Sequence, residues 1–310
     1  MSATDKLNSP CVTVAVCTYN RSFILKESLD SLIIQNTPLD HFELLIIDNN
    51  SNDDTQKVAA QFCAQIPNSR VIFEPQQGLS YARNRALAEA HSPWVAFLDD
   101  DARAHPNWIA TILETISKDD FDAFGGPYYA WHCFGPPPTW FPTSEGTYLG
   151  SPAYGSLGTH HIPGGNCAFK RQAALAAGGF PAEMGMTGNK CAYGEETYLF
   201  NSMKVAGYRL GFVPDMSIDH CVLPYKYQLR WQLASAFASG RDAFYVFKKK
   251  CSWREFFRIW WAGSKAFCKL AYACCSIWKT RQRKLVYIEA YQLATNIGSL
   301  YSFFRMLLAR

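Results

Sequence analysis

Val95, Ala96, Phe97 and Leu98 run directly into Asp99, Asp100 and Asp101. Such an apolar run reads as a buried strand whose end points carboxylates into a cleft. Like charges a few ångströms apart repel and raise one another's pKa. A hard divalent cation, Mn²⁺ or Mg²⁺, removes that penalty and favours carboxylates together with phosphate oxygens. The alternative is a solvated acidic turn before the helix that starts near Pro106. A second acid pair, Glu195-Glu196, opens a helical pattern, where carboxylates also favour the positive end of the helix dipole.

The elements that must position these acids alternate. Strand patterns at Val12 to Cys17, Phe42 to Ile47, Arg70 to Phe73 and Trp94 to Leu98 are separated by helical patterns. The helices are read from Phe23, Leu29, Leu32 and Ile33, from Asp53 to Phe62, and from Ser80 to Ala90. Strand–helix alternation with near-continuous apolar strands predicts an α/β fold with a mostly parallel sheet covered on both faces. Ligands bind such sheets at the carboxyl ends of strands, where strand order reverses. Thr18-Tyr19-Asn20-Arg21, Asp48-Asn49-Asn50-Ser51 and the three aspartates all stand at those ends. Neither G-x-G-x-x-G nor G-x-x-x-x-G-K-[ST] occurs, which removes the main support for dinucleotide and P-loop readings. Residues 126–160 are rich in aromatics, Pro and Gly and read as an irregular stretch over a cleft. A strand and the helix Arg171 to Ala177 follow, then a helix from Glu195 to about Ala206 ended by Gly207, and a strand from Tyr208 to Val213.

A chain of 310 residues that is 48% hydrophobic and 18% charged has the composition of a globular protein. Met1 to Pro10 carries no apolar signal segment. The eleven cysteines form no C-x-x-C pair, so reduced thiols in the cytoplasm are expected, and a zinc site is not. Charge is split: residues 225–310 hold sixteen Lys and Arg against three acids, while residues 1–224 hold fourteen against twenty-three.

Six segments in order resemble a family 2 glycosyltransferase of the GT-A fold: V-T-V-A-V-C-T-Y-N-R, L-L-I-I-D-N-N-S-N-D-D-T, G-L-S-Y-A-R-N-R-A-L, V-A-F-L-D-D-D, G-G-N-C-A-F-K-R and G-E-E-T-Y-L-F. They span about residues 10–222. The resemblance implies a catalytic domain over 1–224, with a nucleotide-sugar half at about 10–101 and an acceptor half at about 102–224. It implies that Asp48 meets the nucleotide base, with Thr18, Tyr19 and Arg21 lining the pocket; an Asx-turn is the alternative for Asp48. A carboxylate there suits an imide N–H and so a UDP-sugar. Arg83 would approach the diphosphate. Among Asp99, Asp100 and Asp101, the D-x-D element, Asp101 is the direct metal ligand, while Asp99 holds ribose or reaches the metal through water; His220 is a further metal or phosphate contact. Gly165 lets backbone approach the donor sugar, with Asn166 as a hydroxyl partner. The family's general base is the second acid of its pair, usually Glu-Asp. Here the pair is Glu-Glu, so Glu196 is the base by position and Glu195 stays open as the alternative.

The implied reaction is metal-dependent inverting transfer from a nucleotide-sugar to a hydroxyl of a glycan or lipid-linked acceptor. Two other readings remain: an inactive protein of the same fold that binds sugar nucleotide or membrane, and a nucleotidyltransferase, which lacks its Gly-rich basic loop here. Trp131 and Trp140 are candidates for stacking on acceptor sugars.

The C-terminal region, 225–310, reads as helical. Across Trp253 to Lys279, Arg254, Arg258, Lys265, Lys269 and Lys279 share a face, with Trp and Phe residues spread over the other side. With Lys248-Lys249-Lys250 and Arg281 to Lys284 beside it, residues 248–284 suit an anionic membrane surface on the cytoplasmic side, or a helix packed on the protein with a solvated basic face. No nucleic-acid motif accompanies the charge. Leu285 to Leu308 contains Glu289, Gln292, Asn296 and Arg305, which favours a buried or interfacial helix over a membrane span.

Overall fold

The structure, a computed structural model, describes residues 10–142, 145–188, 190–247, 252–280 and 283–308. In chain order the elements are β1 (Val12–Thr18), α1 (Leu25–Ile33), β2 (Phe42–Asp48), α2 (Thr55–Cys63), β3 (Ser69–Phe73), α3 (Leu79–Glu89), β4 (Trp94–Leu98) and β5 (Ala102–Ala104). Next come α4 (Trp108–Lys118), β6 (Ala123–Gly125), β7 (Tyr128–Trp131), β8 (Gly155–Ser156), β9 (Asn166–Lys170), α5 (Arg171–Ala176) and α6 (Glu195–Val205). The chain ends with β10 (Leu210–Phe212), β11 (Ile218–Cys221), α7 (Leu229–Val246), α8 (Trp253–Thr280) and α9 (Arg283–Leu308).

An eight-stranded sheet runs β3-β2-β1-β4-β9-β6-β10-β8. The four N-terminal strands are parallel, and β9 enters antiparallel between β4 and β6. Every residue of β2 and β4 is buried because helices cover both faces. On one face Leu25, Leu29, Phe62, Trp108 and Ile112 pack against Val14, Leu44 and Ala96. On the other, Ala86, Leu87, Leu199 and Phe200 pack against Leu45, Val95 and Phe169. Chain order reverses at β1 and β4, since β1 lies between β2 and β4. That places the acids after β4 at the crevice where the topology admits a ligand.

A three-stranded sheet, β5-β11-β7, stands beyond the end of β4. Its register sets His220 opposite Ala102, one residue past Asp101. The stretch expected to be irregular therefore contributes β7, paired in parallel with β11, and β8 at the far edge of the large sheet.

The chain divides into two compact units. One comprises residues up to Trp131, Gly146–Glu183 and Glu195–Cys221, and holds both sheets. The other comprises His132–Glu145, Met184–Gly194 and Val222–Arg310, and holds α7, α8 and α9. Within it α7 and α9 approach so closely that a Cβ on Gly240 would strike the Thr295 carbonyl oxygen and one on Gly298 that of Phe237. Trp140 packs on Phe141 and Tyr287 at 5.9 and 5.3 Å between ring centroids. Among the described residues no helix is long and apolar enough to cross a membrane.

Candidate active site

Asp99, Asp101 and His220 converge: one ligand atom from each lies within 4.8 Å of the other two. His220 Nε2 is 3.2 Å from Asp101 Oδ1 and 3.7 Å from Asp99 Oδ2. The backbone makes this arrangement, because β11 runs antiparallel to β5 and the Cys221 N–H donates to the Asp101 carbonyl at 2.8 Å. Two carboxylates and an imidazole suit Mn²⁺ or Mg²⁺, whose remaining positions would take phosphate oxygens. Asp100 turns the other way, toward Arg21, whose Nε is 3.7 Å from Asp100 Oδ1. Burial, with Asp101 and Asp99 adding to it, pushes the Asp100 carboxyl up to about 7 against the pull of Arg21 and the Thr18 hydroxyl.

Behind the aspartates lies Arg83, which is 3% exposed. Its guanidinium donates to Glu195 Oε1 at 2.6 Å and to Asp99 Oδ1 at 3.4 Å. It rests on the rings of Phe97 and Phe180 at 5.8 and 5.5 Å, contacts each worth roughly 0.5–2 kcal/mol. Arg83, expected at the diphosphate, is placed between Glu195 and Asp99. The apolar floor and the Gly164 turn above it leave the guanidinium as a buried bridge from the metal-site acid to the acid pair.

Glu195 is likewise buried, whereas Glu196 is half-buried on the first turn of α6. Burial and the neighbouring Glu196 push the Glu195 carboxyl up, and Arg83 opposes them. With Glu195 tied to Arg83, the acid with access to solvent is Glu196. Arg83, Glu195, Glu196 and Asp99 all act electrostatically on the buried thiol of Cys167.

Gly165 meets its requirement through a side chain. A Cβ there would run into the Asp99 carboxylate, and one on Gly164 into the Arg83 guanidinium. Asn166 is not brought into the cleft. It is fully buried: its carboxamide oxygen accepts from Trp108 Nε1 at 2.8 Å, and its amide donates to the Pro127 and Met216 carbonyls at 2.8 and 2.7 Å. Three of its four side-chain hydrogen-bonding capacities are thus spent, one on the α4 indole and two on loop carbonyls. Asp48 is 1% exposed and its Oδ1 accepts the N–H of Ser51, three residues on, at 3.1 Å, one residue beyond the partner of an Asx-turn. Thr18 is buried at the end of β1, with Tyr19 and Arg21 half-buried beyond it. Trp131 carries the Arg103 guanidinium over its ring at 3.5 Å, so that face is occupied.

Ser28, unnoticed in the sequence, and Asn49, noticed only at a strand end, also support the site. Ser28 donates from α1 to the Asp99 carbonyl at 3.1 Å; a polar residue on the apolar face of an amphipathic helix, beside Leu25, Leu29 and Leu32, was its signal. Asn49 donates to the Glu74 and Gln76 carbonyls and accepts the Gly78 N–H, tying the β2 end to the start of α3. Its short-range sequence carries no signal for those partners.

A family model for glycosyl transferase family 2 matches residues 13–176, just over half the chain. The chain belongs to glycosyl transferase family 2. This glycosyltransferase is 28% identical to the succinoglycan biosynthesis protein ExoM of Rhizobium meliloti over 271 residues, 85% of this chain and 84% of that protein. It is 33% identical to glycosyltransferase AglE of Haloferax volcanii over 118 residues, which are 38% of this chain and 39% of AglE. Its fold matches that of the mannosyltransferase PcManGT of Pyrobaculum calidifontis, solved in complex with GDP-Man and Mn²⁺. The TM-score is 0.64 at 19% identity, over 94% of this chain and 87% of that one. The GT-A-type sheet is thus shared at low identity.

Proposed function

We propose that this glycosyltransferase moves a sugar from a nucleotide-sugar to a hydroxyl of a glycan or lipid-linked acceptor with inversion, in a divalent-cation-dependent reaction. The observation that carries the reading is the convergence of Asp99, Asp101 and His220 in the same unit as an acid pair of which one member is held and the other is accessible. These three residues would hold Mn²⁺ or Mg²⁺, which when bound supplies positive charge against the diphosphate. Glu196 takes the proton of the acceptor hydroxyl as that oxygen attacks the anomeric carbon from the face opposite the diphosphate. Glu195, paired with Arg83, keeps the second carboxylate out of that role. Gly164 and Gly165 let the turn close over Arg83 and Asp99, which fixes the direction of the Asp99 carboxylate.

Thr18, Tyr19, Arg21 and Asp48 would together take the nucleoside, with a base bearing a ring N–H and uracil first among them. The catalytic unit is proposed to lie within residues 1–224 and to work in the cytoplasm, where Cys167 and Cys221 serve as small buried core residues. The region after 224 is proposed as its membrane-associating part. The test is release of nucleoside diphosphate from a panel of nucleotide-sugars with mixed glycan and lipid acceptors. The reading expects turnover of one donor class that stops when Mn²⁺ is chelated. Turnover of the preferred donor at the same rate with and without chelator would refute the metal requirement.

A further inference from the structure

Helix α8 turns its aromatic side outward. Its buried positions are Ile259, Gly263, Ala266 and Ala273, a repeat of four and three residues that forms one stripe on a helix. Across it, Gly263 comes close to Asn296 of α9, and Phe256 packs on Phe303 and Phe304 at 5.4 and 5.7 Å. Small inner residues let α9 approach, and the large residues are left on the opposite side. Trp253, Phe257, Trp260, Trp261, Phe267 and Tyr272 are 50–74% exposed. At about 100° per residue they fill an arc of about 140°.

The bases do not form a separate solvated face. Arg254, Arg258, Lys265 and Lys269 are exposed in an arc of about 60° that adjoins one edge of the aromatic arc. Arg258 is paired with Glu255 on its own helix and Lys269 with Glu289 on α9. The positions Lys248 to Lys250 and Arg281-Gln282 lie outside the described residues, as does the side chain of Lys279.

We propose that the outward face of α8 docks on an anionic lipid bilayer, lying in its plane. Six large aromatic side chains along one side of a helix make a contiguous apolar surface that water solvates poorly. Trp and Tyr favour the boundary between headgroups and acyl chains. A basic edge beside them places ammonium and guanidinium groups at headgroup depth, while their aliphatic stems lie along the apolar surface. Charge complementarity selects the partner: every exposed charged residue among the described α8 side chains is positive, which fits phosphate-bearing lipid and attracts it at long range. The docking is independent of which sugar is transferred, and it would bring a lipid-linked acceptor to the enzyme.

The test is sedimentation of the full chain with vesicles of phosphatidylcholine alone and of an equimolar mixture with phosphatidylglycerol. Two variants accompany it, Phe257→Ser/Trp261→Ser and Arg254→Gln/Lys265→Gln. Melting temperature and lipid-free donor turnover, expected unchanged, show that each is folded. Wild type is expected to bind the mixed vesicles about tenfold or more tightly than phosphatidylcholine alone. The aromatic variant should lose about tenfold or more on both, and the basic variant should lose its preference for phosphatidylglycerol. Absence of wild-type binding to either vesicle, or equal binding by wild type and both variants, overturns the proposal. So does a lipid-free dimer that the aromatic variant dissociates, since a second copy would then cover this face.

Discussion

Replacing Arg83 with Met tests the bridge beneath the active site. Methionine keeps the contact with Phe97 and Phe180 but leaves Glu195, 4% exposed, without its 2.6 Å partner. Stranding one member of a buried ion pair costs about 3–5 kcal/mol. For a unit of this size, at about 2–4 °C per kcal/mol, melting should fall by roughly 6–20 °C. Asp99 loses a 3.4 Å contact as well, but at 33% side-chain exposure it is solvated and adds little. The double variant Arg83→Met/Glu195→Met removes both charges and should recover most of the loss, so that the two single effects are far from additive. Thermal melting of wild type, both single variants and the double variant closes the cycle. A drop below about 2 °C for Arg83→Met, or strict additivity in the double variant, would refute the argument that Arg83 is an internal bridge.

Gly165→Ala should drive a methyl group into the Asp99 carboxylate and lower Mn²⁺ affinity about 10- to 100-fold, read by calorimetric titration. Asn166→Ala should cost about 2–5 kcal/mol by stranding the Trp108 indole N–H and two loop carbonyls, with donor KM moved less than about threefold because the side chain faces no ligand. The pH dependence of metal binding follows from Asp100. Its carboxyl is pushed up to about 7 by burial and by Asp101 and Asp99, so the folded metal-free protein holds a proton that the unfolded chain has released. That group's contribution to stability therefore falls as pH rises from about 4 to about 7. Mn²⁺ binding should strengthen over the same interval with proton release, visible as a buffer-dependent heat, and a flat affinity across it would contradict the assignment.

The strands that carry the site were legible because β1, β2 and β4 are buried on both faces and are apolar at most positions, with Thr13 and Glu43 hydrogen-bonded to each other inside. Their ends were legible for the same reason, since Asp48 and Asp99 break runs that burial would otherwise continue. Three things were not readable. Asn166 and Arg83 have residue types equally suited to ligands and to buried loops or acids, and only the distant partners Trp108, Met216 and Glu195 decide. The grouping of 132–145 and 184–194 with the C-terminal helices is set by long-range packing that no local pattern encodes. On α8 the period was visible but its inner face was not, because a stripe of Gly, Ala and Ile is a weak signal beside Trp and Phe until α9 is placed against it.

Steady-state turnover of Glu196→Gln beside Glu195→Gln, with the preferred donor and Mn²⁺ saturating, decides which carboxylate is the base. With Glu196 as the base, Glu196→Gln loses about 10²- to 10⁴-fold in kcat with donor KM unchanged. Glu195→Gln should lose less in kcat and melt at a different temperature from wild type, because its partner is Arg83. Turnover by Glu196→Gln within threefold of wild type, with Glu195→Gln inactive but folded, would place the base on Glu195 instead.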